Sequence, residues 1–114
     1  MNVEAITKGK ILLVTVHESR IDAAVAVAFK ETMRERTLGH PGRIVLDMSE
    51  VGFLDSSGLG AVVGAMKQID PGAKLELAGL SRTVAKVFKL TRMDSVFTIH
   101  SSVAAGLAAA ENAA

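Results

Sequence analysis

The segment Arg43-Ile44-Val45-Leu46-Asp47-Met48 limits what this chain can fold into more than any other. Its apolar residues are consecutive instead of alternating, and an acid closes the run, which is the pattern of a strand covered on both faces. Such a strand sits at the centre of a sheet, so the flanking sequence has to supply strands for its edges and layers for its faces.

Val3 to Thr7 and Ile11 to Val16 are short β-prone runs on either side of Lys8-Gly9-Lys10, a hairpin pattern. Ser19-Arg20-Ile21-Asp22 has the form of a capping box with Asp in the acidic position, and Ile21, Val25, Ala28, Phe29 and Met33 recur at helical spacing. This predicts an amphipathic helix from about Asp22 to Thr37, with Lys30, Glu31, Arg34 and Glu35 outward and Gly39 and Pro41 as its stop. Leu59, Val62, Val63, Met66 and Ile69 mark a second helix that ends at Asp70-Pro71-Gly72. Lys74 to Ala78 alternates and reads as a half-exposed strand, and Ser81 caps a short helix presenting Val84, Val87 and Phe88. Val96 to Ile99 gives a last short strand. Ser101 or Ser102 then opens an Ala-rich terminal helix with Val103 and Leu107 inward, and Glu111 to Ala114 is expected to fray.

Two strands followed by helix and strand in alternation imply an α/β sandwich: a four- to five-stranded mixed sheet with about four helices packed mainly on one face. Leu46 and Val63 are expected to be fully buried between the central strand and the second helix. At 114 residues, without repeat or linker, the chain reads as one domain spanning 1–114.

Composition removes several classes of function. Lys and Arg total 13 against 12 Asp and Glu, interspersed, so the basic footprint that drives binding to a phosphate backbone is missing. Four Phe without Trp or Tyr make neither a base-stacking platform nor an aromatic cage. The lack of cysteine excludes disulfides, thiolate catalysis and Cys-ligated metals. No His or carboxylate cluster has metal-ligand spacing, no cofactor is implied, and no apolar run has the length of a signal peptide core or a membrane span. A cytoplasmic location, without nucleic acid or membrane insertion, is the expectation.

The stretch from Asp47 to Gly60 carries the chemistry. It delivers the chain from a buried strand to a helix whose start holds an acid, two hydroxyls and two glycines. First-turn N–H groups and the helix dipole favour an anion there, and glycines let other backbone approach closely. The local Asp-Ser-Ser-Gly-Leu does not match the Gly-x-Ser-x-Gly nucleophile elbow, and His17, His40 and His100 are scattered, so no catalytic residue is assigned.

Ser49-x-Val51-x-Phe53-Leu54-Asp55-Ser56-Ser57-Gly58-Leu59-Gly60 closely resembles the signature of STAS domains, the family of bacterial anti-sigma-factor antagonists and of the cytoplasmic domains of sulfate-transporter relatives. The resemblance extends to the element order, the Ile21-Asp22-Ala23 lead-in to the first helix, Gly72 before the next strand and the terminal helix. It implies a STAS-like sandwich in which Ser57 aligns with the phosphorylated serine and Asp55 with the acid that helps position it. Ser56 is then read as a structural cap, and Gly58 and Leu59 complete the phosphosite loop. Asp47 and Ser49 support that loop, Asp47 by holding its backbone.

The implied function is partner switching: the protein binds an anti-sigma factor, itself a GHKL-type serine kinase, while Ser57 is unphosphorylated, and is released on phosphorylation. A PP2C-type phosphatase is a further implied partner. The alternative is a STAS accessory or scaffold subunit of a transporter or signalling complex, never phosphorylated. Two positions depart from the family pattern. Ser19-Arg20 stands where Gly is frequent, and Arg92 stands where Gly is common, which carries a steric penalty if its φ is positive.

Overall fold

A computed structural model describes residues 1–109; the tail Glu111 to Ala114 lies outside the described residues. Strands β1 (Val3–Lys8) and β2 (Ile11–Val16) form an antiparallel hairpin turned at Gly9, whose φ of 63° suits a residue without Cβ. Strand β4 (Arg43–Asp47) lies parallel to β2 on one edge and to β6 (Lys74–Ala78) on the other, and β7 (Ile99–His100) runs parallel to β6. The five-stranded sheet therefore has the order β1-β2-β4-β6-β7, with β4 central as its sequence requires. A separate parallel pair joins β3 (Arg20–Ile21) to β5 (Phe53–Leu54).

Alternation along β4 divides the two faces. Ile44 and Leu46, both fully buried, join a core with Phe29 and Met33 of α1 (Ala26–Thr37), Ala61, Val62 and Ala65 of α2 (Ser56–Gln68), and Val84 and Phe88 of α3 (Arg82–Leu90). Each such large side chain contributes about 1.5–3 kcal/mol by leaving water. Val45 points the other way, toward Gly106 of α4 (Val103–Ala108). Three helices thus cover one face and a single short helix the other. Ser81 and Ser102 cap α3 and α4, accepting from the Val84 and Ala105 N–H groups.

The α4 face is held by charge. Arg43 donates from Nε and Nη2 to the Glu76 carboxylate (2.7 and 2.6 Å), and also to the Gly106 and Ala109 carbonyls (2.8 and 3.1 Å). His100 Nε2 donates to the same carboxylate at 2.6 Å. Burial pushes the Glu76 pKa up, but hydrogen bonds from Arg43 and then His100 more than offset that, holding it below the usual carboxylate value. This corrects the expectation of a half-exposed β6: Glu76 is only 3% exposed. The alternating pattern is real, but its polar position found a buried partner on β4.

Three further expectations change. The first helix starts at Ala26, not Asp22, and Ser19 does not cap it. Ile21 is fully buried because it pairs with Leu54, and Asp22 Oδ1 accepts from the Ala24 N–H (3.1 Å) in a turn before the helix. Val63 is half-buried, since the inward side of α2 is Gly58, Ala61, Val62 and Ala65, one residue round the helix. The last strand holds only Ile99 and His100. Met93–Ser95 form a 3₁₀ turn before it, and Phe97 turns into the core, its ring edge-on to Phe88 at 5.8 Å. Arg92 takes φ 61°, so the penalty raised by the missing glycine is present.

Candidate functional site

Strand β4 ends at Asp47, whose Oδ1 accepts from the Ser49 N–H at 2.9 Å and turns the chain. Met48 and Val51 anchor the connector from below, both fully buried. The Gly52 N–H donates to the Ser19 carbonyl at 2.8 Å, so the connector lies against the segment that precedes α1. Pairing of β3 with β5 continues that contact. Leu54 points into the core, while Phe53 stays exposed beneath the Arg20 guanidinium, 5.0 Å above its ring.

Asp55 then closes the site. Its Oδ1 accepts from the Gly58 N–H at 2.8 Å, which makes Asp55 the N-cap of α2, and its Oδ2 accepts from the Ala23 N–H at 3.2 Å. One carboxylate therefore ties the helix start to the turn before α1. Gly58 makes the second tie: a Cβ there would lie 1.9 Å from the Ile21 carbonyl oxygen, so the two backbones touch only because it has none. Leu59 is half-buried and packs on the core.

These ties leave Ser56 and Ser57 as the first two residues of α2, both exposed, with neither hydroxyl hydrogen-bonded among the described residues. The expected cap role of Ser56 is overturned, because the residue before it already holds the helix end. Ser57 is exposed at the start of the second helix, as the sequence predicts.

Sequence reasoning missed two contributors, the Ile21 carbonyl and the Ala23 N–H, and also the contact of His17 with the connector. Only Gly58 signalled the first, by its type alone. His17 Nδ1 lies 2.7 Å from Glu50 Oε2, in the connector, and Nε2 lies 3.1 Å from Glu4 Oε1, on β1. Carboxylate oxygens only accept, so each contact is a hydrogen bond only when that ring nitrogen carries a proton, and the two together favour the protonated ring. Hydrogen bonds to Glu4 and then Glu50 raise its pKa above the ordinary histidine value. His40 contacts the Arg43 carbonyl and His100 contacts Glu76, so the contacts of all three histidines lie away from Ser57. Among the described residues no group of His, Asp and Glu could hold a metal ion, and no helix is long and apolar enough to cross a membrane.

Comparison with known proteins gives the same outline. The chain is 32% identical over 80 residues to an anti-sigma-B factor antagonist of Listeria monocytogenes, covering 69% of this chain and 70% of that protein. A putative anti-sigma factor antagonist from Thermotoga maritima superposes with a TM-score of 0.81 at 22% identity, over 92% of this chain and 91% of that one. The anti-sigma factor antagonist SpoIIAA superposes in its unphosphorylated form (TM-score 0.70, 18% identity, 93% of each chain). In its phosphorylated form, described as a Bacillus cell fate determinant, the values are 0.64 and 17%, over 93% of this chain and 96% of that one. The STAS domain family model matches residues 2–106, nearly the whole described chain, and on that match and the Listeria relative the protein belongs to the STAS domain family.

Proposed function

We propose that the protein is an anti-sigma-factor antagonist that works by partner switching, with Ser57 as the phosphorylated residue. The observation that carries this reading is the exposed Ser57 hydroxyl, without a hydrogen bond among the described residues, on a first helical turn held in place by Asp55 and Gly58. The unmodified protein binds an anti-sigma factor that is also a GHKL-type serine kinase, and phosphorylation releases it. A PP2C-type phosphatase restores the hydroxyl. The whole chain, 1–114, acts as one cytoplasmic domain with no catalytic residue of its own.

A phosphoryl group adds about −1.5 to −2 charge and three acceptor oxygens. The helix dipole tolerates that charge at the first turn, so the fold survives modification. A partner packed around the neutral hydroxyl meets a different surface. It must desolvate a dianion beside the Asp55 carboxylate, and each ~1.4 kcal/mol lost lowers affinity tenfold. The Listeria relative, named as an anti-sigma-B factor antagonist, and the two forms of SpoIIAA support the reading.

The test is to incubate wild type, Ser56→Ala and Ser57→Ala with the cognate kinase and ATP, and to measure mass and kinase affinity. Wild type and Ser56→Ala gain one phosphate; Ser57→Ala gains none and binds constitutively, while Ser57→Asp binds weakly. A wild type that gains no phosphate favours the accessory or scaffold role in a transporter or signalling complex, and a modified Ser57→Ala moves the site elsewhere.

A further inference from the structure

Helix α3 carries a charge pattern that neither the core nor the Ser57 loop uses. Arg82, Lys86 and Lys89 are exposed, and at about 100° per residue they fall within an arc of about 60°, opposite the buried Val84 and Phe88. Arg92 follows the helix, and residues 82–92 contain no acid. Among the described residues none of the four forms an ion pair. The chain has thirteen Lys and Arg against twelve acids, so everything outside this segment is net acidic. Four of the thirteen cations lie together in this one segment with no acid among them.

Helix α1 shows what an ordinary solvated face looks like here, because its exposed Lys30, Arg34 and Arg36 are interleaved with Glu31 and Glu35. Solubility calls for mixed signs, whereas a single-sign face steers an oppositely charged partner. Two more features of residues 82–92 point the same way. Leu90 is 73% exposed beside the cations. Arg92 occupies a left-handed conformation that glycine adopts freely, so a cation stands where the backbone disfavours a residue with a Cβ.

We propose that the outer face of α3 is a docking surface for an acidic protein partner, whose carboxylates meet Arg82, Lys86, Lys89 and Arg92 and whose apolar side chain covers Leu90. Helix α3 packs on β5, the strand that precedes the Ser57 helix, but the proposed surface does not depend on Ser57 being the modified residue. A nucleic acid is disfavoured by the net acidity of the rest of the chain. A membrane is disfavoured because Val84 and Phe88 turn inward, leaving Leu90 as the one large apolar side chain of α3 that is mostly exposed.

The experiment titrates ¹⁵N-labelled protein with a synthetic amphipathic peptide of Glu and Leu, with duplex DNA, and with vesicles containing anionic lipid. The peptide shifts amides of 82–92, and raising NaCl from about 0.05 to about 0.5 M weakens it about tenfold or more. Lys86→Glu combined with Lys89→Glu abolishes the response with thermal unfolding unchanged, and Lys30→Glu on α1 leaves it intact. Peptide-induced shifts absent from α3, a response insensitive to the paired reversal, or tighter binding to DNA or vesicles than to the peptide overturns the proposal. Its failure is separate from that of the Ser57 reading, which is measured by mass.

Discussion

The two faces of the sheet are closed by different physics. Beneath α1, α2 and α3 lies an aliphatic layer in which many side chains share the work and no single polar contact is indispensable. Beneath α4 the closure depends on Arg43, Glu76 and His100, with Arg43 reaching the last carbonyls of a six-residue helix. Nondirectional burial tolerates substitution by degrees, whereas a buried ion cluster fails when one member is removed.

Arg43→Ala breaks the comparison most sharply. It leaves Glu76 buried without its main partner and should lower stability by about 3–5 kcal/mol, with α4 amides losing hydrogen-exchange protection first. A loss below about 1 kcal/mol would show that charge does not close this face. Replacing the pair together, Arg43→Met with Glu76→Leu, should recover much of the loss, because no uncompensated charge remains. On the other face, Leu46→Ala should cost about 2–5 kcal/mol in urea unfolding, through lost transfer energy and a cavity.

Smaller effects sharpen the picture at the Ser57 site. Gly58→Ala must push the Ile21 carbonyl away and should cost about 1–3 kcal/mol, with shifts centred on both helix starts in an NMR spectrum. Asp55→Ala should cost about 1 kcal/mol as a lost cap, and Ser56→Ala no more than about 0.5 kcal/mol, the reverse of what a serine cap would give.

pH separates two charged groups by sign. Glu76, with its lowered pKa, contributes stability that is present above the ordinary carboxylate value and lost as pH falls through its folded value. His17, with its raised pKa, contributes stability that is present below about pH 6.5 and lost as pH rises through its folded value. His17→Gln should therefore flatten only the alkaline side of the stability profile, and the ring resonances of His17 should titrate above those of a free histidine.

What could be read in the sequence follows the same division. The consecutive aliphatic run of β4, the hairpin, the stripe of α3 and the cap Ser81 are local patterns, and they appear where local patterning puts them, whereas of the α1 stripe only Phe29 and Met33 face the core as helix residues. Glu76 looked solvated because its partner Arg43 lies 33 residues away. Ile21 looked helical because a two-residue strand has no period of its own, and only its pairing with Leu54 reveals it. Val63 looked inward because size weighs heavily in a stripe, yet α2 turns its small residues to the core. At the candidate site, the exposed place of Ser57 at the helix start was legible from the motif, but the cap was assigned to Ser56 instead of Asp55 because serine and aspartate compete for that role on equal terms.

The contact between Gly58 and the Ile21 carbonyl, with the strap from Asp55 to Ala23, bears on how the site could be moved. The motif is contiguous in sequence, but the object it builds is not. A graft of residues 47–60 onto a foreign strand and helix would carry the serine without the backbone that seats it, and the transplanted turn would have no fixed direction. A transferable unit has to include residues 19–25 as well, held at the spacing set by one missing methyl group. Any scaffold able to accept it must offer two neighbouring crossings where strand turns into helix.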